Sequence, residues 1–397
     1  MRSRTVVFVA ALAAITLVAG CGEDSPKADT PTLDIARLDS GNYPTVPRDM
    51  ETVRYDLSGA GLEAVRIGDL TPLPFEIDGK YSFQRLINVD RRTTRESTPQ
   101  LYSLTEAEFF DLAPGFVTGW GASAERRDSP SLGSGVGYEI LRFESADLAT
   151  AAARRLAARQ AANLPGDAVP LTGFPGAQAK WSPSKKYLDT WTPRNELVLY
   201  VHVEDPISEP PESGPLAEFT QEALEKLTEA LGGYQPTPVD RLNSLPMDPQ
   251  GVLGRAMPME EQHKRDGHDQ SLVMPRQAAV HFELQPALAK AAFDDAGVDL
   301  VAFAESRVYR ARDADSAARL MAAFIAHRSN GWQPIAEPPN MPGVQCFITK
   351  EKQPYADRYP PSCFVAYDRF VARVTGKNAQ ELHQKAAAQY KLLAYKS

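Results

Sequence analysis

The sequence predicts an α+β protein with two related lobes, each an antiparallel sheet covered by helices in the order β-α-β-β-α. Three observations support this prediction: an internal repeat, apolar runs of strand length, and an amphipathic helix that closes each half. The chain has 397 residues, a length that suggests two domains or three small ones. We therefore expect an N-terminal lobe at 33–235 and a C-terminal lobe at 236–397, related by internal duplication.

The first residues show the pattern of a bacterial lipoprotein precursor. Arg2 and Arg4 precede an apolar stretch at 6–18, which is too short to cross a bilayer but has the length of a signal-peptide core. Residues 17–21, Leu-Val-Ala-Gly-Cys, form a lipobox at its end. Small residues before a cysteine predict cleavage after residue 20 and transfer of diacylglycerol to the Cys21 sulfur. The alternative is an ordinary secretory signal in which the cysteine is incidental.

The signal peptide then covers 1–20, and residues 21–32 form a polar tether without large apolar side chains. Such a segment is flexible and reaches at most roughly 35 Å. Two or three acyl chains hold a protein far more firmly than one chain does. We therefore expect the protein at the outer face of the cell membrane, anchored through Cys21.

The charge balance excludes some classes of partner. The chain carries 43 Lys and Arg against 51 Asp and Glu, a net charge of −8, and loss of Arg2 and Arg4 with the signal makes it more negative. Because no run of basic residues breaks this balance, we expect neither a nucleic-acid partner nor a polybasic attraction to anionic lipid. No second apolar stretch is long enough to form a transmembrane helix.

The internal repeat links a strand and a helix start in the first half to the same pattern in the second. Ala- and Arg-rich helices follow in both halves, and apolar strands come next. In chain order the matched segments are 138–147 with 304–313, 151–156 with 316–321, 175–178 with 342–345, and 197–203 with 370–374. Two similar domains explain a repeat of this length better than a solenoid does.

Each half closes with an amphipathic helix that is expected to cover one face of its sheet. Asn378, with Glu381 three residues later, is a plausible cap for the second of these helices. Lead-in helices are expected at 104–113 and 286–296. The apolar positions of the closing helices are Leu216, Phe219, Ala223, Leu224, Leu227 and Leu231 in the first half, and Ala379, Leu382, Ala386, Tyr390 and Leu393 in the second.

Two cysteines remain once Cys21 is assigned to the lipid. Cys346 and Cys363, in an exported protein, predict one disulfide; a redox-active pair or two free thiols are the alternatives. The repeat sets Ala179 opposite Cys346 and Thr190 opposite Cys363. The first half therefore lacks both cysteines together, which supports a bond between them.

The lipobox, the stretch Leu-Asp-Ser-Gly-Asn-Tyr-Pro-Thr-Val-Pro-Arg at 38–48 and the cysteine pair of the second half resemble an uncharacterised lipoprotein family of mycolic-acid-bearing actinobacteria. That family is known mainly as a domain of unknown function with a distinct C-terminal domain. The resemblance covers nearly the whole chain after the lipobox. It implies a cell-envelope lipoprotein and supplies no catalytic residues and no cofactor.

A metal or catalytic site is hard to find in the sequence. His263, His268 and Asp269 could hold zinc, but their spacing fits neither a helical H-E-x-x-H pair nor a structural zinc motif, so a solvated loop is preferred and no metal is predicted. The glycines at 133–137 lack the lysine of a P-loop, and no Gly-x-Ser-x-Gly elbow occurs.

Single histidines and tryptophans carry weaker signals. His202 and His281 lie in apolar strand-like segments, and His327 and His383 lie on helices without an evident partner. Trp120 and Trp332 are expected in the core, with an exposed carbohydrate- or lipid-binding role as the alternative. The list of predicted sites is therefore short: lipidation at Cys21 and a disulfide between Cys346 and Cys363.

The function that follows is a lipid-anchored envelope protein that binds a ligand or partner without catalysis. An envelope lipid, a glycan or a protein are the candidate partners, besides the membrane itself. Two alternatives stay open: a cell-wall enzyme whose site is assembled from nonadjacent residues, and an interaction protein without a small-molecule site.

Overall fold

Two antiparallel sheets packed with helices form the protein, which confirms the α+β class. The structure, a computed structural model, describes residues 33–84, 90–99, 101, 104–127, 132–328, 331–350 and 359–396. The signal peptide, the tether and Cys21 lie outside these residues. In the part of the chain that is described, no helix is long and apolar enough to cross a membrane.

The N-terminal lobe contains an eight-stranded sheet and five α-helices among its described residues. Its elements in chain order are α1 (Ser58–Leu70), α2 (Pro74–Ile77), β1 (Phe83–Gln84), β2 (Arg92–Thr93), α3 (Glu106–Leu112), β3 (Phe116–Glu125), β4 (Gly135–Phe143), α4 (Ala146–Asn163), β5 (Asp167–Ala168), β6 (Gln178–Ser182), β7 (Tyr187–Arg194), β8 (Leu197–Glu204) and α5 (Gly214–Ala230).

The C-terminal lobe contains a seven-stranded sheet. Its elements are β9 (Leu272–Pro275), α6 (Arg276–Val280), α7 (Pro286–Ala296), β10 (Leu300–Phe303), β11 (Arg307–Arg310), α8 (Ala314–His327), β12 (Trp332–Ile335), β13 (Gln345–Thr349), β14 (Ser362–Tyr367), β15 (Phe370–Thr375) and α9 (Ala379–Ala394). The predicted cap is present, because the Asn378 side chain accepts a hydrogen bond from the backbone N–H of Glu381.

The two sheets have the same strand order, as duplicated lobes would. The N-terminal order β1-β3-β4-β8-β7-β6-β5 corresponds to β9-β10-β11-β15-β14-β13-β12 in the C-terminal lobe. Each repeat is longer than the predicted β-α-β-β-α pattern. The added strands β1, β3, β5 and β7, with their counterparts β9, β10, β12 and β14, extend the strands and the two matched helices to β-β-β-α-β-β-β-β-α.

The cysteine pair shows how closely the lobes correspond. Cys346 on β13 and Cys363 on β14 face each other in the sheet and form a disulfide. Ala179 on β6 faces Thr190 on β7 in the N-terminal sheet. The sequence alignment that matches these two pairs is therefore confirmed by the strand register.

Helices cover both faces of each sheet, whereas the sequence analysis expected them on one face. The cause is visible in β8, whose residues Leu197–Val203 are all buried, since a strand that is apolar on both faces needs cover on both. In the C-terminal lobe α8 lies over Tyr309 and Phe364. On the opposite face α9 lies over the disulfide.

The segment before α1 packs on the C-terminal lobe, although its sequence position assigns it to the N-terminal one. Leu38 is buried in the same cluster as the disulfide, and its carbonyl accepts a hydrogen bond from the Lys391 ammonium at 2.9 Å. Arg48 forms an ion pair with Asp269 at 2.8 Å. The tether predicted at 21–32 would therefore join the chain beside the C-terminal lobe.

The lobes meet through a buried aromatic cluster. The Trp120 side chain is fully buried, as predicted, and lies against Gly68, where a Cβ atom would approach the indole to 2.5 Å. Its ring is 5.6 Å from the His281 ring. His281 follows helix α6 and does not lie in a strand, contrary to the sequence prediction. Burial lowers the pKa of His281 to about 3, so its neutral ring donates to the Thr71 carbonyl at 3.0 Å.

Candidate functional site

A cavity of about 390 Å³ opens on the face of the C-terminal sheet that α7 and α8 cover. Strands β11, β14 and β15 form its floor, and its walls come from α7, the end of α8 and the start of β12. Gln84 of the N-terminal lobe also lines it. Pockets for small ligands have volumes of roughly 300–1,000 Å³. The cavity is therefore large enough for a small molecule.

Three arginine side chains line this cavity, and two of them are cross-strand partners. Arg307 on β11 pairs directly with Arg373 on β15. Like charges in opposed positions destabilise a sheet. Arg328, the C-cap residue of α8, is the third. Because this cluster opposes folding, the cavity is a candidate site for a ligand that compensates its charge.

Glu283 compensates one of the three positive charges. Its carboxylate accepts hydrogen bonds from Arg307 Nη1 at 3.1 Å and from the Tyr309 hydroxyl at 2.9 Å. Burial disfavours the charge on Arg307, but Glu283 outweighs this effect and the pKa of Arg307 is raised. Burial and the Glu283 charge raise the pKa of Tyr309 to about 12, so its hydroxyl remains a donor.

Arg328 and Arg373 have no carboxylate partner among the described residues. The Arg328 guanidinium lies over the Trp332 ring, 3.8 Å from its centroid, and its Nη1 is buried without a hydrogen-bond partner in the described structure. Burial and the charge of Arg373 lower the pKa of Arg328 to about 9. Burial and the charge of Arg307 lower the pKa of Arg373. Both shifts have the direction expected of cations that lack an anion.

Ser362 adds a hydroxyl to the floor of the cavity. Its side chain is 1% exposed, and its Oγ makes no hydrogen bond to any described residue. Buried polar groups of folded proteins usually have partners. As far as the described residues show, the cavity presents two guanidinium groups without a carboxylate partner and an unsatisfied hydroxyl, beside an aromatic wall that includes Phe324, Trp332 and Phe364.

The matching space in the N-terminal lobe can be located from the strand pairs. Thr190 faces Val201 in β8 as Cys363 faces Val374 in β15, and the neighbouring residues follow in step. Helices α4 and α8 are matched through their N-caps, Ser145 and Asp313. The sequence alignment pairs Asp147 with Asp313, so at this helix it is shifted relative to the match of the two N-caps. The resulting equivalences are Trp191 for Phe364, Tyr200 for Arg373, Gln160 for Arg328, Asp189 for Ser362 and His202 for Thr375.

That N-terminal space is closed by a hydrogen-bond network. The Trp191 indole donates to Gln160 Oε1 at 2.6 Å, Gln160 Nε2 donates to the Tyr200 hydroxyl at 3.2 Å, and Tyr200 donates to Asp189 Oδ1 at 2.6 Å. A void of about 10 Å³ remains, which is room for one water at most. Two lobes of the same topology thus differ at this place, one closed and one open.

The zinc-like residues of the sequence do not come together. The His268 ring stacks on Tyr55 at 4.4 Å, and Asp269 pairs with Arg48. His263 lies instead beside Glu260 and Glu305, whose ligand atoms are within 4.8 Å of one another and of its own. A lysine side chain lies between these two carboxylates.

Lys385 supplies a cation to this acidic cluster. Its ammonium is 2.6 Å from Glu260 and 3.5 Å from Glu305. Burial disfavours the charged form, but the hydrogen bonds to Glu260 and Glu381 outweigh it and raise the pKa of Lys385. Because the cluster already has its cation, it gives no reason to place a metal there.

The structure assigns different positions to the remaining sequence candidates. Trp332 is half-buried in the cavity wall and not in the core, and His327 also lines the cavity. His202 is fully buried in β8, and the His383 ring is 3.2 Å from the Ala336 carbonyl, away from the cavity. The sequence analysis missed all three cavity arginines. A signal existed at Arg373, which interrupts the apolar strand at 370–374.

The comparisons with known proteins identify a family but no activity. Residues 50–247 match the model described as domain of unknown function (DUF7373) N-terminal, and residues 252–396 match its C-terminal counterpart. No curated protein matches the chain. Among solved structures, the extracellular domain of PknH from Mycobacterium tuberculosis is 14% identical, with a TM-score of 0.27, over 40% of this chain and 93% of that chain. A TM-score this low does not establish a shared fold.

Proposed function

We propose, for a chain that belongs to the DUF7373 family over both of its domains, that it is a lipid-anchored protein of the cell envelope that binds a small ligand in its C-terminal lobe without transforming it. The observation that carries this proposal is the contrast between the lobes. The C-terminal lobe holds a cavity of about 390 Å³ where the N-terminal lobe has about 10 Å³ of free space.

Packing alone does not account for the open cavity. The N-terminal network shows that this topology can fill the same space with hydrogen-bonded side chains. The C-terminal lobe instead presents Arg328 and Arg373 without carboxylate partners among the described residues, and a buried Ser362 hydroxyl that no described residue satisfies. Unsatisfied buried polar groups and unpaired charges cost folding free energy. A bound ligand that pairs with these groups would offset the cost.

Binding is favoured over catalysis by the state of the two carboxylates in the cavity lining. Glu305 lies 3.5 Å from the Lys385 ammonium and 2.7 Å from the His263 ring. Glu283, which could act as a base, is engaged by Arg307 and Tyr309. The alternative of an interaction protein without a small-molecule site is disfavoured by the cavity itself.

The envelope location is supported by the lipobox and by the position of the N-terminal segment. Cleavage before Cys21 and lipidation of its sulfur would anchor a tether of at most roughly 35 Å. The described chain then runs along the C-terminal lobe, with the Leu38 carbonyl bound by Lys391. The lobe that holds the cavity would therefore lie next to the membrane.

Recovery of the native ligand tests this proposal. The full-length protein is purified from its own membranes in non-ionic detergent as wild type, as Thr375→Trp, which fills the cavity, and as Thr150→Trp, which adds the same side chain at an exposed position of α4. Mass spectrometry of the extracts should find one small molecule at stoichiometric amounts in wild type and Thr150→Trp, and little in Thr375→Trp. The same molecules in all three proteins, or none in any, would count against a ligand site in this cavity.

A further inference from the structure

We infer that the ligand of the C-terminal cavity carries a phosphate group, which Arg328, Arg373 and Ser362 bind. The inference rests on the proposed function, because it names the chemistry of the molecule that the same cavity takes. Three observations lead to it: the charge left uncompensated, the geometry of the donors, and the apolar residues at the cavity mouth.

Among the described residues, the charges that face the cavity leave an excess of positive charge. Glu283 is bound to Arg307. The second carboxylate of the lining, Glu305, is 3.5 Å from the Lys385 ammonium and 2.7 Å from the His263 ring, so it has cationic partners of its own. Arg328 and Arg373 remain. A phosphate ester carries a charge of about −1.5 to −2 at pH 7, which matches two guanidinium groups better than a single carboxylate does.

The cavity offers the kinds of donor that bind phosphate, two guanidinium groups and a hydroxyl. The Arg328 guanidinium carbon lies 3.8 Å from the centroid of the Trp332 ring, which holds the group in place, and Nη1 has no hydrogen-bond partner in the described structure. Arginines held in this way bind phosphate oxygens through two parallel hydrogen bonds. Ser362 is the first residue of β14, and β14 pairs with β15, the strand that carries Arg373. Donors therefore line the same cavity from the helix end and from its floor.

Apolar side chains border the cavity on one side and predict what the phosphate is attached to. Leu284 lines the cavity and is 41% exposed, and Leu288, in the first turn of α7, is 47% exposed. Exposed apolar residues beside a binding site add affinity for an apolar group. An alkyl phosphate should therefore bind more tightly than inorganic phosphate, with which it shares the charged group.

Calorimetric titration of the full-length protein, stripped of its ligand and kept in non-ionic detergent, tests the inference. The probes are hexyl phosphate, inorganic phosphate and hexyltrimethylammonium, which has the same chain and the opposite charge. Wild type should bind hexyl phosphate, bind inorganic phosphate more weakly, and not bind the ammonium. Arg373→Gln and Arg328→Gln should each lower the affinity for hexyl phosphate about 10- to 100-fold, since a hydrogen bond to a charged group is lost. Arg154→Gln, at an exposed position of α4, should bind as wild type does.

The same titrations distinguish a phosphorylated amphiphile from free phosphate, and they test the phosphate site separately from the proposed function. Tighter binding of hexyl phosphate than of inorganic phosphate indicates a phosphorylated amphiphile. Equal affinities for the two probes indicate the free anion. Either result supports the phosphate site if Arg373→Gln weakens the binding. Unchanged affinity in both arginine variants, binding of the ammonium as tight as that of hexyl phosphate, or no binding of either phosphate would overturn it. The proposed function has its own test: it is contradicted if no native molecule is lost from the Thr375→Trp protein.

Discussion

Arg307 and Arg373 stand directly opposite each other in neighbouring antiparallel strands, and Glu283 pairs with the first of them. At the same place in the N-terminal sheet, Glu139 stands opposite Tyr200, where no like charges meet. The two lobes thus share a strand register and differ in its electrostatics. We attribute the difference to the proposed ligand site, which would keep its cations close together at a cost in stability.

Removing one cation should therefore stabilise the ligand-free protein. Arg373→Gln relieves the repulsion from Arg307, and we expect the free energy of unfolding to rise by about 0.2–1 kcal/mol. Urea denaturation of the ligand-free proteins measures the change, with Arg154→Gln as the control that should leave stability unaltered. A clear loss of stability in Arg373→Gln would show that the guanidinium supports the fold and would contradict this account. A gain would also mean that lost binding in this variant is not caused by misfolding.

The disulfide should contribute substantially to the stability of the C-terminal lobe. Replacing Cys346 and Cys363 together by alanine should lower the free energy of unfolding by about 3 kcal/mol, the entropic estimate for a loop of this size. Guanidinium denaturation of the oxidised wild type and of the variant measures the difference. Wild type reduced with dithiothreitol should resemble the variant, and a variant as stable as the oxidised protein would refute the prediction.

The matched register of the lobes predicts a second disulfide. Ala179 and Thr190 face each other as the native cysteines do, so Ala179→Cys combined with Thr190→Cys should form a bond on oxidation. Peptide mapping under non-reducing conditions would identify it. The control pairs Ala179→Cys with Thr192→Cys, because Thr192 is displaced along β7 from the position that faces residue 179 and faces Leu199 on the other side. Bond formation only in the control would mean that the register is wrong.

The buried His202, whose Nδ1 lies 2.8 Å from Asp189 Oδ1 of the N-terminal network, should make stability depend on pH. Burial disfavours the charged form of His202, but Asp189 and Glu204 outweigh it and raise its pKa. A group whose pKa is raised on folding stabilises below its unfolded pKa of about 6.5 and loses that contribution as the pH rises through its folded pKa. The stability advantage of wild type over His202→Thr should therefore shrink from pH 6 upward. Urea titrations across this range measure it, and an advantage that grows with pH would contradict the assignment.

The anchor can be tested independently of the cavity. Cys21→Ala should prevent lipidation and move the protein from the detergent phase to the aqueous phase on Triton X-114 partitioning, in cells that process lipoproteins. The variant that replaces Cys346 and Cys363 by alanine is the control, and it should stay in the detergent phase. A Cys21→Ala protein that partitions like wild type would remove the lipid from the account.

The fold was predictable where the sequence keeps a strong local pattern. The helix at 286–296 and the buried run at 197–203 are found as expected. Helical periodicity and continuous apolar runs in a sequence correspond directly to the faces that become buried. Strand β12 was missed for a physical reason. It contains Pro334 at the edge of its sheet, and proline is typical of turns and edge strands and not of ordinary strands.

The site was not predictable from local patterns. Arg307, Arg328 and Arg373 lie far apart in the chain and come together only through strand pairing and the end of α8. A single arginine in an apolar strand most often reaches solvent, and only the register shows that two of them meet. The packing of Leu38 on the C-terminal lobe is equally a long-range result. The disulfide was predictable because the duplicated half served as an internal comparison.

Hydrogen exchange with and without hexyl phosphate shows whether the ligand site is open in the C-terminal lobe and closed in the N-terminal one. We expect slower exchange in the C-terminal lobe at 282–289, in the last turn of α8 and at the start of β12. Exchange in the matching N-terminal elements, the last turn of α4 and strand β5, should not change. Equal slowing in both lobes, or slowing confined to the N-terminal one, would contradict the account.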